Sequence, residues 1–169
     1  MRKKIKEDNI QNTNEILYSE WVPAGRFVKI VIIFVCTLII SLGIIISTFI
    51  PKELAFIGII LGAVALLVFL LYWNFRGLKI ILTREQLEIA YGKLNRKRFP
   101  LEKITNCDIT KAKFRIYGGV GIRYGLDGSI AYNTDFGEAV KLFFEKGRPF
   151  LFTTRNPEKL CDLIKEFSP

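Results

Sequence analysis

Two long apolar runs divide the chain. No charged residue occurs from Ile30 to Ile50 or from Leu54 to Phe75. As helices rising about 1.5 Å per residue, runs of this length cross a hydrocarbon layer about 30 Å thick. The pattern predicts a transmembrane hairpin over 28–75, with helices at about 28–50 and 54–75. Between them Pro51-Lys52-Glu53 stops one helix and returns the chain into the next. Gly43 and Ser47 are four residues apart on the first helix, as are Gly58 and Gly62 on the second. Small residues at that spacing let backbones approach closely in lipid, so these four are candidate helix-packing positions, within the hairpin or between two copies of the chain.

Beyond Phe75 the period changes to short alternating segments separated by Gly, Asn, Asp and Pro, which predicts a β domain over 76–169. Strands are expected at Leu78–Thr83, Leu87–Tyr91, Arg96–Leu101, Ile104–Thr110 and Lys113–Tyr117. A hairpin follows, in which Ile122, Tyr124 and Leu126 lead into Asp127-Gly128 and Ile130 and Tyr132 return. Asp-Gly supplies the positive φ angles of a tight turn. The alternation places Tyr124 and Tyr132 on one face with Ile122 and Ile130, and hence in the core. Ala139–Phe144 and Phe150–Thr154 make a last pair. The period then becomes helical: Asn156 as N-cap, Pro157 in the first turn, and Leu160, Leu163, Ile164 and Phe167 on one stripe predict a closing helix over about 157–167. It is expected to lie on the sheet or plug an open barrel end.

Residues 1–27 read as an N-terminal arm, with Arg2, Lys3, Lys4 and Lys6 at its start and Tyr18 and Trp21 near the first span. Those two aromatics suit the membrane interface; the alternative is a short strand that pairs with the downstream domain. The first run begins too far from the N-terminus and is too long for a cleaved signal sequence.

Charge orients the hairpin. Arg26 and Lys29 flank one end and Arg76, Lys79 and Arg84 the other, whereas the turn carries only Lys52, so both termini are expected in the cytoplasm of a multi-pass membrane protein. Cys36 lies within the first run, leaving Cys107 and Cys161 without a CxxC pair, and these read as reduced structural thiols.

The 169 residues include no histidine, which removes His-based triads, His-ligated metals and histidine pH switches. Gly118-Gly119-Val120-Gly121 matches no phosphate-loop motif and reads as a bulge or sharp bend. Asp127, Asp135 and Glu138 read as solvated turn residues. No catalytic, cofactor-binding or metal site is expected. What remains is basic charge: of the net +9, the part from Phe75 onward carries +7, from 18 Lys and Arg against 11 Asp and Glu. The tightest cluster is Lys93, Arg96, Lys97 and Arg98; with Arg76 and Lys79 these are candidate contacts to anionic lipid head groups.

Strands followed by one helix, with Tyr117-Gly118-Gly119-Val120-Gly121-Ile122-Arg123, Ala131-Tyr132 and Phe152–Leu160, give a chain that resembles prokaryotic membrane proteins in which two transmembrane helices precede a pleckstrin-homology-like domain. The resemblance implies a membrane α-helical hairpin plus a mainly-β split barrel of about seven antiparallel strands capped by a C-terminal helix. It also implies a non-enzymatic binding or scaffolding module. The 93–98 spacing is similar to the basic turn with which some pleckstrin-homology domains hold phosphorylated inositol head groups. The partners expected are membrane lipids and either a protein partner or a second copy of the chain. An assembly subunit without lipid recognition is the alternative, and a basic nucleic-acid-binding barrel, stacking bases on Tyr117, Tyr124 and Tyr132, the less favoured one.

Overall fold

A computed structural model describes residues 15–49 and 56–168, apart from the side chain of Ser47. The turn at Pro51-Lys52-Glu53 and the basic start of the chain lie outside the described residues. The chain forms two compact units, an apolar one over 24–76 and a β unit made of 1–23 and 77–169.

In the apolar unit, helices α1 (Arg26–Phe49) and α2 (Phe56–Asn74) pack side by side. Their most apolar stretches have mean hydropathies of 2.9 and 2.6 and are almost wholly exposed, so both are long and apolar enough to cross a bilayer. Two hydroxyls of α1 bond within the helix: Ser41 Oγ donates to the Leu38 carbonyl and Thr48 Oγ1 to that of Ile44, both at 3.0 Å. An apolar solvent leaves polar groups no other partner. Gly43 is buried, and a Cβ placed there would lie 3.7 Å from the Gly58 carbonyl oxygen and from Leu61 Cβ, so it serves the contact within the hairpin. Gly62 is exposed with open space beside it and takes no part in that contact.

Among the described residues the β unit holds nine strands in two sheets. The first sheet runs β1 (Ile16–Pro23), β2 (Gly77–Thr83), β3 (Gln86–Tyr91), β4 (Asn95–Pro100), each antiparallel to its neighbour. Residues 16–23 are therefore no part of an N-terminal arm. Tyr18 and Val22 are buried on the inner face of the sheet, and only full pairing with β2 satisfies the backbone there. The apolar helices are thus an insertion between two neighbouring strands.

The second sheet has the order β5 (Ile104–Lys111), β8 (Glu138–Phe144), β9 (Phe150–Thr153), β7 (Ile130–Asn133), β6 (Gly121–Tyr124). Neither sheet closes on itself, and β7 pairs with β9 in parallel, so the strands are more numerous than seven and not all antiparallel. The expected strand at Lys113–Tyr117 is a helical turn, α3 (Phe114–Tyr117), ended by Gly118 in the left-handed region. The reason is packing. Tyr117 and Ala112 cover Ala131, Ala139 and Leu151 on the outer side of the second sheet.

Leu78, Ile80 and Leu82 from the first sheet and Val140, Leu142, Phe150 and Phe152 from the second are almost fully buried and form the core. An aromatic chain links the sheets: Tyr91 to Tyr132 at 6.0 Å, Tyr132 to Phe150 at 4.9 Å, Phe150 to Phe99 at 4.8 Å and Phe99 to Phe144 at 5.1 Å between centroids. Helix α4 (Pro157–Phe167) buries Leu160, Cys161 and Ile164 and packs on β5 and β8. Asn156 occupies its N-cap position, but its side chain makes no capping hydrogen bond. Cys161 is joined by a disulfide to Cys107 on β5, which replaces the expected pair of reduced thiols, while Cys36 stays free.

Candidate functional site

The first sheet has one end from which the chain leaves for α1 and to which it returns from α2. There Pro23 pairs with Gly77, and the β3–β4 turn folds back beside them, its Gly92 N–H donating to the Gly77 carbonyl at 3.1 Å. Only Ala24-Gly25 and Phe75-Arg76 separate this end from the helices.

Cross-strand register puts Trp21, Lys79, Ala90 and Arg96 in one row here, and partners directly opposite one another point to the same face. Because Leu78 and Ile80 point inward, this row points outward. Trp21 is 46% exposed, Lys79 and Arg96 are exposed, and Ala90 is buried between its longer neighbours. One row farther in, Arg98 shares the outer face with Glu88, whose carboxylate accepts from Arg98 Nε at 2.8 Å and from Arg96 Nε at 3.1 Å. In the turn itself Lys93 is exposed and Leu94 is 80% exposed.

The sequence-derived basic cluster is therefore divided. Lys79, Arg96 and Arg98 share one face, and Lys93 sits in the adjoining turn. Lys97, opposite Ile89, points to the other face and is exposed only because β4 is an edge strand. Arg76 belongs to the apolar unit, where its guanidinium lies 4.4 Å from the centre of the Trp73 ring. The sequence reading passed over Leu94, an ordinary turn residue until its exposure is known. It assigned Trp21 to the membrane interface but not to this row, which Trp21 joins only through the β1–β2 register.

A second polar cluster holds the β6–β7 hairpin. Asp127 Oδ1 accepts from Ser129 Oγ at 2.6 Å and from Ser129 N at 3.1 Å, and Asp127 Oδ2 accepts from Lys141 Nζ at 2.7 Å. Burial alone raises the Asp127 pKa, but the Lys141 and Ser129 contacts outweigh it and hold the carboxyl at about 2. Tyr117 Oη lies 3.1 Å from Ser129 Oγ, and burial pushes its own pKa up. A Cβ at Gly125 would collide with Asp127 Oδ1 and the Tyr117 ring. This aspartate is a structural clasp and not a merely solvated turn residue.

The glycine cluster makes the expected sharp bend: Gly118, Gly119 and Gly121 have φ of 66°, 156° and 107°, and Asn133 Nδ2 donates to the Gly119 carbonyl at 2.9 Å. Among the described residues no three metal-ligating side chains converge. Compared with protein-family models, curated proteins and solved structures, the chain matches none.

Proposed function

We propose that this protein is a membrane-tethered binding module whose first sheet meets an anionic head-group layer at the end where the chain enters and leaves its apolar helices. The row of Trp21, Lys79 and Arg96 carries this reading. An amphipathic ring beside two cations suits the boundary between hydrocarbon and charged head groups. Exposed Leu94 in the adjoining turn adds an apolar tip next to Lys93. The two-residue links support it as well, since two extended residues reach only about 7 Å. Both termini are assigned to the cytoplasm on the flanking cations. The Cys107–Cys161 disulfide pulls the other way in a reducing compartment, but both residues are buried, and access limits thiol exchange.

Two sheets and a closing helix support the resemblance to pleckstrin-homology-like domains, although neither sheet closes into a barrel. With one end of the first sheet turned to lipid, the rest of the β unit is offered to a protein partner. Of the tyrosines considered for base stacking, Tyr117 and Tyr132 are buried, which disfavours a nucleic-acid platform.

The test uses the whole chain reconstituted in neutral or phosphatidylglycerol-containing nanodiscs, with Leu94→Cys carrying a polarity-sensitive dye. Emission should shift to the blue in the anionic discs, and Lys79→Glu/Arg96→Glu and added salt should weaken the shift. Equal emission in both lipids, unmoved by salt, would overturn the lipid contact.

A second reading, assembly through the helices, is favoured by Gly62 alone, which faces open space in a groove with Gly43 and Gly58. Gly62→Leu should then abolish cross-linked dimers while leaving the hairpin intact.

A further inference from the structure

At the far end of the first sheet a cleft of about 550 Å³ opens between the end of β4 and the β8–β9 turn. We infer that this cleft is a binding site for a soluble phosphate ester carried on a flat apolar ring, the chemistry of a mononucleotide. Its volume lies within the range of small-molecule sites.

Arg98, Lys103, Lys146 and Arg148 line the cleft against a single carboxylate, Glu145. Glu88 engages Arg98, which leaves Lys103, Lys146 and Arg148 to supply most of the positive field. Guanidinium forks and ammonium groups around one opening suit the tetrahedral oxygens of phosphate. Phe99 and Phe144 also line it, with ring planes 25° apart and centroids separated by 5.1 Å. They put aromatic surface beside the cations, so the ligand has two parts, one charged and one planar and apolar.

A soluble phosphate ester and a lipid head group share the chemistry of this cation-lined opening, and the experiment distinguishes the two sources. The site itself stands without the membrane reading.

The experiment titrates the full chain in neutral nanodiscs with ATP, adenosine and inorganic phosphate at low salt. ATP should bind saturably, with adenosine and phosphate each at least about tenfold weaker. Lys103→Ala/Lys146→Ala should weaken ATP by about tenfold or more at an unchanged melting temperature, and Lys165→Ala on the exposed face of α4 should not. Equal affinity in the double variant, or no saturation by about 1 mM ATP, would overturn the site. Competition between ATP and phosphatidylglycerol discs would move the ligand to lipid and overturn the soluble source. Extraction of the chain without detergent would sink the membrane reading and leave the titrations as they are.

Discussion

Three donors converge on the carboxylate of Glu20: Tyr18 Oη at 2.8 Å and Thr154 Oγ1 at 2.5 Å to Oε2, and the Arg155 N–H at 2.9 Å to Oε1. This side chain ties the edge strand β1 to the segment that starts α4, across more than 130 positions of sequence. Glu20→Ala leaves these donors without their acceptor and should cost about 1–3 kcal/mol, read by denaturant unfolding in detergent. Asp127 makes a different prediction. Its pKa falls from 3.8 in the unfolded chain to about 2 in the folded one, so its contribution is complete above pH 3.8 and is lost as pH falls through about 2. Asp127→Asn should flatten the stability profile across that window and lower stability by a constant amount above it, neutrality included, as read by denaturant unfolding against pH. Neither role was legible from sequence. Alternation gives the face on which a residue lies, but not which distant strand end comes to meet it.

At the level of elements, local pattern and register diverge. The Asp127-Gly128 hairpin forms as its turn chemistry requires, with Ile122 opposite Tyr132 and Tyr124 opposite Ile130. Tyr132 is buried at 4% exposure, yet Tyr124, on the same face, is 71% exposed because β6 is an edge strand, with the Arg148 guanidinium 5.8 Å from its ring centre. Strand order is a long-range property, and the 2-residue period carries no information about it. The same limit left β1 as the alternative to an interfacial arm until β2 is placed beside it. The disulfide between β5 and α4 spans 54 positions, and cross-linking a loop of that length typically stabilises by about 2–4 kcal/mol. Cys107→Ser/Cys161→Ser, or reduction with dithiothreitol, should lower the melting temperature by several degrees, while Cys36→Ser leaves it unchanged.

For the molecule as a whole, the two apolar runs were legible because twenty or so uncharged residues have few alternatives to a membrane helix. The division of labour in the β unit was not legible. The expected basic turn is divided between two faces of the first sheet, and the cations of the distal cleft come from a 3-10 turn and a hairpin that look unremarkable one by one. Because Pro23 and Gly77 are already antiparallel neighbours, replacing residues 24–76 by an Asn-Gly turn should give a β unit that is monodisperse without detergent and retains both sheets. Circular dichroism and gel filtration would check it, and aggregation of the product would count against an autonomous β unit.

Placing the helices between β1 and β2 also sets an order of events during synthesis. The first strand leaves the ribosome more than fifty residues ahead of its pairing partner. If the two helices cross a bilayer as proposed, an odd number of crossings would strand the two halves of the ladder on opposite sides of the lipid, and this sheet would form only in chains that return to the compartment from which they departed.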